Sequence, residues 1–256
     1  MEIVKIRPGY IISGYMLKEM VGSGGFSTVY KAETIDPKPL YTSIIAVKVL
    51  HPRRLEKYQI RQFVKEGKIV KNLEHTNIVK VFDIIQQDGN FFILMEFIDT
   101  DLMKAIRNKK EMFDEENIID IIIKSAKGIS YLHKNGIIHK DINPSNILIS
   151  YSLDKVKITD FGLAKIKKMT FLKFNREFRG GTEGYIPPEY YDGKPVDERG
   201  DIYSFGRTIE KIYIELGFKM PEKIKNIIKI ATDPKPENRF ESMDGIVYIL
   251  ETRKIE

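Results

Sequence analysis

Apolar and polar residues alternate with a period of two through much of the first hundred positions and with a period near 3.6 through much of the rest. YMLKEMVGSGG (15–25) alternates and then breaks at glycines, while STVYKAET (27–34) and SIIAVKVL (43–50) are runs rich in β-branched residues; all three predict strands. The two prolines of IDPKPLY (35–41) predict a long hairpin loop between the last two. RRLEKYQIRQFVKEGKIVKNL (53–73) brings Ile60, Phe63, Gly67 and Val70 near one stripe and predicts a helix. NIVKVFDII (77–85) and NFFILMEFI (90–98) return to strand, with QQDG as the turn. DEENIIDIIIKSAKGISYLHKNG (114–136) predicts a long helix with Asp114 as N-cap and Asn135-Gly136 as its end. Short strands follow at 146–150 and 155–160, then a loop-like stretch over 161–189. Helices follow near 200–215, 221–232 and 241–253, with Pro221 suited to a first helical position. The switch near residue 98 predicts an α+β chain, a β-rich N-lobe over 1–97 joined to a helix-rich C-lobe over 98–256.

Composition narrows the chemistry. The chain has 256 residues and no cysteine, which excludes disulfides, thiolate metal sites and cysteine nucleophiles. Its four histidines show no HExxH-like spacing. The net charge of +6 fits a solvated surface, and no nucleic-acid partner is expected from it. A hydrophobic content of 42% excludes wholesale disorder. The densest apolar run, IIDIII (118–123), falls far short of the roughly 20 residues that span a bilayer. MEIVKIRPGY lacks the build of a signal peptide, so no membrane and a cytoplasmic location are expected.

Four segments carry candidate chemistry. In GSGGFSTV (22–29), Gly22, Gly24 and Gly25 permit close backbone approach to phosphates, although a glycine-rich turn alone is common. It is neither a P-loop nor a Rossmann fingerprint, because no Gly-Lys-Ser/Thr and no helix follows. Lys48 sits in the strand IIAVKVL; it is either a snorkelling edge residue or a cation aimed at phosphate oxygens, with Glu66 as a carboxylate to orient it. In IIHKDINPSNILI (137–149), Asp141 and Asn146 stand five apart in a polar loop between apolar runs. Asp can accept a hydroxyl proton, and Asn can ligate a hard cation through oxygen. KITDFG then places Asp160 at a strand end, where a carboxylate can supply a second ligand.

The order and spacing of these segments resemble the eukaryotic-type protein kinase family, from about Tyr15 to Arg239. GSGGFSTV is similar to its glycine-rich loop, IAVK to its strand lysine, FILMEFI to its hinge, HKDINPSN to its catalytic loop and DFG to its magnesium motif. GTEGYIPPE (181–189), GDIYSFG (200–206) and PENRF (236–240) resemble the end of the activation segment, the start of helix F and the late arginine. The resemblance implies the bilobal protein-kinase fold, one domain over about 15–256. It implies transfer of the γ-phosphate of ATP to Ser/Thr hydroxyls of protein substrates, with Mg2+, or Mn2+ in its place, as the metal. It further implies that Lys48 meets the α/β-phosphates and pairs with Glu66, that Asp141 orients or deprotonates the acceptor, and that Asn146 and Asp160 hold the metal. Gly22, Ser23, Gly24 and Gly25 would cover phosphates. Val29, Ala46 and Leu148 would sandwich adenine, beside Met95 and the backbone of Glu96 and Ile98. Asp201 would brace the catalytic loop, Arg239 would pair with Glu189, and Thr182 would sit near Asp141.

Three departures from the family pattern stand out. His139-Lys140-Asp141 replaces the usual His-Arg-Asp, and Asn143 stands where Ser/Thr kinases carry a lysine that touches the γ-phosphate. Thr170 is the only hydroxyl side chain between Gly162 and Gly181, so the usual phosphoacceptor is missing and activity without activation-loop phosphorylation is expected. Asp201 and Arg239 are only 38 positions apart, too close for the family's helix G between them. The run 163–179 carries Lys165, Lys167, Lys168, Lys173, Arg176 and Arg179 against Glu177, which favours acidic protein substrates. A catalytically silent binding module and a small-molecule kinase are the competing readings. The intact set Lys48, Glu66, Asp141, Asn146 and Asp160 argues against the first, and GTEGYIPPE argues against the second.

Overall fold

The structure is a computed structural model that describes residues 5–23, 27–50, 60, 64, 67–68, 70–161, 165–166 and 181–252. The chain divides into two compact units, residues 1–74 with 79–98, and residues 75–78 with 99–256.

The first unit is a six-stranded antiparallel sheet in the order β1-β2-β3-β4-β6-β5. Its strands are β1 (Ile11–Ile12), β2 (Tyr15–Ser23), β3 (Ser27–Thr34), β4 (Ile44–Leu50), β5 (Val81–Gln87) and β6 (Asn90–Glu96). Period-two alternation sends Leu17, Tyr30, Ala32, Ile45, Val47, Val49, Phe92 and Leu94 to one face, where they form a buried cluster. Each such side chain contributes about 1.5–3 kcal/mol by leaving water. The predicted turn QQDG narrows to Asp88 and Gly89, both at positive φ (48° and 74°), between the paired residues Gln87 and Asn90. That is the two-residue hairpin loop whose twist matches its strands. In the predicted helix over 53–73, Ile60, Val64, Gly67, Lys68 and Val70 are helical.

The second unit is mainly helical: α1 (Leu102–Asn108), α2 (Glu115–Lys134), α3 (Pro188–Tyr191), α4 (Glu198–Leu216), α5 (Glu222–Ala231) and α6 (Met243–Thr252). Small sheets accompany them, β10-β9-β7 and β11-β8. Their strands are β7 (Thr100–Asp101), β8 (Ile137–Ile138), β9 (Ile147–Ile149), β10 (Val156–Ile158) and β11 (Lys165–Ile166). Asp114 caps α2 as expected, and Asn117 returns the bond, closing a capping box. The buried stripe Ile118, Ile121, Ile122, Ile129 and Leu132 of α2 and Ile202, Phe205, Ile209 and Ile212 of α4 supply much of the core. Among the described residues no helix is long and apolar enough to cross a membrane.

Four sequence expectations change. The strand expected from residue 77 begins at Val81, because Asn77 is recruited to the second unit: its side-chain amide donates to the Val156 carbonyl (2.9 Å), and its own carbonyl accepts from Ile158 N–H (2.9 Å). Helix α1 was not anticipated; Asp101 caps it by accepting from Lys104 N–H (2.9 Å). Pro221 is the N-cap of α5, one position ahead of the expected first helical turn. The loop-like stretch 161–189 contains β11, paired with β8, and the start of α3.

Glycine 128 sits where α2 meets residue 77. A Cβ there would stand 2.7 Å from the Asn77 carbonyl oxygen and 3.0 Å from Cγ1 of Ile158. That oxygen is fixed by its bond to Ile158, so the clash cannot be relieved by a side-chain rotation. Gly128→Ala should therefore lower stability by about 1–2 kcal/mol despite alanine's better helix propensity. A urea melt reads this, and a midpoint at or above wild type would contradict it.

Candidate active site

In the first unit, register brings the site residues onto one face. Gly22 lies opposite Val29, Val29 opposite Lys48, and Lys48 opposite Ile93; Ala46 lies opposite Met95. Directly opposed residues share a face, so Val29, Ala46, Lys48 and Met95 stand together on the face turned away from the apolar cluster. Helical residue Gly67 packs on the same face: a Cβ there would come within 2.5 Å of Ile84, which pairs with Ile93. Met95 and Ile98 are buried, and Ser23 is exposed at the end of β2. Glu96 ties down the segment that follows residue 79: its carboxylate accepts Lys80 N–H (2.6 Å), and its N–H donates to the Lys80 carbonyl (2.9 Å). Gly24, Gly25 and Glu66 lie outside the described residues, as do Thr170, Glu177 and the other charges of 167–179.

In the second unit the central group is Asp201 in the first turn of α4, with no solvent exposure. Its Oδ1 accepts Lys140 N–H (2.7 Å), and its Oδ2 accepts His139 N–H (2.7 Å) and lies 2.9 Å from His133 Nε2. Lys140 is thereby held at φ 69°, a left-handed backbone that costs a side-chain-bearing residue roughly 1–2 kcal/mol. His139 is fully buried; its Nδ1 accepts Asp141 N–H (3.3 Å), so its Nε2 carries the proton and donates to the Thr159 carbonyl (2.9 Å). This bond joins the loop carrying Asp141 to the strand end carrying Asp160. Asp160 is exposed and itself left-handed (φ 62°), and the Phe161 ring packs 5.3 Å from that of His139.

Asp141 gathers the remaining polar groups. Asn146 Nδ2 donates to its carbonyl (2.7 Å) and to Oδ2 (2.8 Å). Thr182 donates to Oδ1 through both N–H (2.9 Å) and hydroxyl (2.8 Å), and Asn143 Nδ2 reaches the Thr182 hydroxyl (3.1 Å). Leu148, half-buried on β9, follows two residues after Asn146. Arg239 and Glu189 form a buried bidentate pair (2.8 and 2.7 Å), and Arg239 also donates to the carbonyls of Asp233 and Arg199. With both partners dry, the pair fixes α3, which follows Thr182 closely in the chain.

Sequence reasoning missed His133 and Asn77. His133 lies four positions after Ile129, on the buried stripe of α2, and that periodicity was the available signal. Burial alone would push the Asp201 carboxyl up. The His133 hydrogen bond, the nearby His133 and His139 rings and the His139 N–H outweigh burial and hold it below its ordinary value of 3.8. Its stabilising contribution is therefore complete above that value and is lost as pH falls through the depressed one. Asp201→Asn would set an amide N–H against a backbone N–H. It should cost about 1–3 kcal/mol at neutral pH and flatten the fall in stability with acid. Urea melts at neutral and acid pH check this; equal acid slopes in both proteins would contradict it.

Residues 15–242 match the family model described as "Protein kinase domain". The chain is 30% identical to a probable serine/threonine-protein kinase of Clostridium acetobutylicum, over 93% of this chain and 40% of that protein. It is 26% identical to serine/threonine-protein kinase PrkC of Bacillus subtilis, over 95% of this chain and 41% of that one. It is 32% identical to serine/threonine-protein kinase CTR1 of Arabidopsis thaliana, over 74% of this chain and 23% of that one. The chain thus spans about two fifths of the length of the two bacterial relatives. A domain match over nearly the whole chain, on a β-sheet unit and a helical unit with the Asp141–Asn146–Asp160 loop arrangement, places this protein in the protein kinase family.

Proposed function

We propose that this chain is an ATP- and Mg2+-dependent serine/threonine protein kinase. The observation that supports this most is the state of Asp141 and Asn146. Both amide hydrogens of Asn146 are spent on Asp141, so the Asn146 side-chain oxygen is turned to the other side, as a hard-cation ligand requires. Asn146 and the Asp160 carboxylate would hold the metal, and such oxygen donors suit Mg2+, or Mn2+, with phosphate oxygens and water completing the shell. When bound, the metal supplies charge neutralisation on the phosphates.

The chain's own residues position and move a proton. In the first unit Val29, Ala46 and Met95, with the backbone near Glu96 and Ile98, would take the adenine; Gly22 and Ser23 would cover phosphates, and Lys48 would meet the α/β-phosphates. The acceptor hydroxyl oxygen forms its bond to the γ-phosphorus, the bond from that phosphorus to the ADP oxygen breaks, and the hydroxyl proton passes to Asp141. Lys48→Met should lower phosphotransfer about 10²–10³-fold and Asp141→Asn about 10²–10⁴-fold with the fold intact. Chelation of the metal should abolish turnover, and Mg2+ or Mn2+ should restore it. Radiolabel transfer from ATP to protein measures all three; full activity in Lys48→Met would overturn the assignment.

The same reading includes activity without activation-loop phosphorylation, a preference for acidic protein substrates and a cytoplasmic location. What supports the first is the lone Thr170 between Gly162 and Gly181, and the second rests on the basic run 163–179. Phosphatase-treated enzyme and Thr170→Ala should keep most of the activity. Serine peptides with acidic flanks should beat matched basic ones in kcat/KM, with the margin shrinking as salt passes about 0.1 M. Loss of activity on phosphatase treatment would refute the first, and a preference for basic flanks the second.

A further inference from the structure

We propose that Asn143 is a positioning residue that fixes the direction of the Thr182 hydroxyl and, through it, leaves one oxygen of Asp141 open to take the acceptor proton. The proposal rests on the kinase reading above and adds to it what replaces the family's lysine at this position.

Asn143 is 3% exposed, and every polar atom of its side chain is engaged. Its Oδ1 accepts Ser145 N–H (2.9 Å), capping the short turn Pro144–Asn146. That bond fixes which end of the amide is oxygen, so the nitrogen must face the other way. Nδ2 has two hydrogens; one goes to the Asp141 carbonyl (3.1 Å) and one to Thr182 Oγ1 (3.1 Å). The Thr182 hydroxyl therefore stands between a group that only donates and a carboxylate that only accepts. It has one hydrogen, and that hydrogen is committed to Asp141 Oδ1 (2.8 Å).

The count at Asp141 follows. Oδ1 receives two donors, the N–H and the hydroxyl of Thr182, while Oδ2 receives one, from Asn146. A carboxylate oxygen offers about two lone-pair directions. Oδ1 is filled, and Oδ2 retains one for the incoming hydroxyl. A lysine at this position would also donate to Thr182, but it would bring a charge and a longer reach. Asn143 supplies the hydrogen-bonding half of that role, and its buried amide is spent before it can reach a phosphate. Its effect on catalysis is thus through Thr182 and Asp141 only.

Asn143 also caps the turn that carries Asn146, so a test must separate capping from orientation. Asn143→Asp does so: its carboxylate still accepts Ser145 N–H but has no hydrogen for Thr182. Asn143→Leu removes both functions, Thr182→Val removes the hydroxyl at nearly constant volume, and Thr182→Ser restores it. The expected result is a fall in kcat of about 10–100-fold for Asn143→Asp and Thr182→Val, with KM for ATP within about twofold of wild type. The Asn143→Asp/Thr182→Val double variant should be no worse than the poorer single one. Thr182→Ser should recover most of the loss, and Asn143→Asp, whose carboxylate faces the Asp141 carbonyl, should melt below wild type while staying folded at the assay temperature. Wild-type kcat in Asn143→Asp would mean that Asn143 is a cap only and would overturn the proposal, as would additive losses in the double variant. Hydrogen exchange of the Thr182 amide, measured by NMR in the same proteins, decides the matter even if the wild type phosphorylates nothing. Faster exchange in Asn143→Asp supports the proposal on its own, unchanged exchange overturns it, and the kinase reading alone falls with absent phosphotransfer.

Discussion

A single buried carboxylate organises the second unit. Asp201 has no exposure, and burying it without partners would cost several kcal/mol. The structure meets that cost with three donors, two of them the backbone N–H groups of His139 and Lys140. Because those groups belong to consecutive residues, the bonds set a backbone direction as well as an energy. The left-handed turn at Lys140 follows from it, and Asp141 comes next. The charge that stabilises the core of α4 thus also orients the loop it touches, and truncating it would leave two buried N–H groups without acceptors.

From Asp141 outward the connections are mostly hydrogen bonds to carboxylates, those at Asp141 itself made by short side chains. His139 joins this loop to Thr159 and so to Asp160; Asn146 and Thr182 hold the two oxygens of Asp141; Arg239 and Glu189 hold α3 beyond Thr182. Short side chains carry little rotamer entropy to lose, which suits a site that must keep its geometry. In the first unit the same economy appears as strand register. One rung carries Val29, Lys48 and Ile93 and the next but one carries Ala46 and Met95, so period two alone collects a cation and an apolar surface on one face.

Much of this was legible in the sequence because strong periodicity and strong motifs coincide. Strand β3 was read to the residue, and α2 with its Asp114 cap was bounded within one or two residues. What escaped was decided by tertiary contact. Two-residue strands such as β7 and β8 carry no period. Residues 77–80 look like the start of a strand, but Asn77 is worth more bonded to β10 than to a ladder. His133 carries no motif of its own, and only its place on the buried stripe of α2 marks it. Asn143 was visible as a departure from a pattern, yet its meaning lies in three bonds that no spacing reveals.

The central claim, that the Asp201 carboxylate sets the loop carrying Asp141, is tested most directly by amide hydrogen exchange at His139 and Lys140. Both N–H groups point at a carboxylate with no solvent exposure. The account predicts that in the wild type they exchange only through global unfolding, with protection tracking the full unfolding free energy, and that Asp201→Ala, which removes both acceptor oxygens, releases both, while amides of α2 lose only what the fall in global stability takes. Exchange at loop-like rates in the wild type, with α2 fully protected, would contradict it.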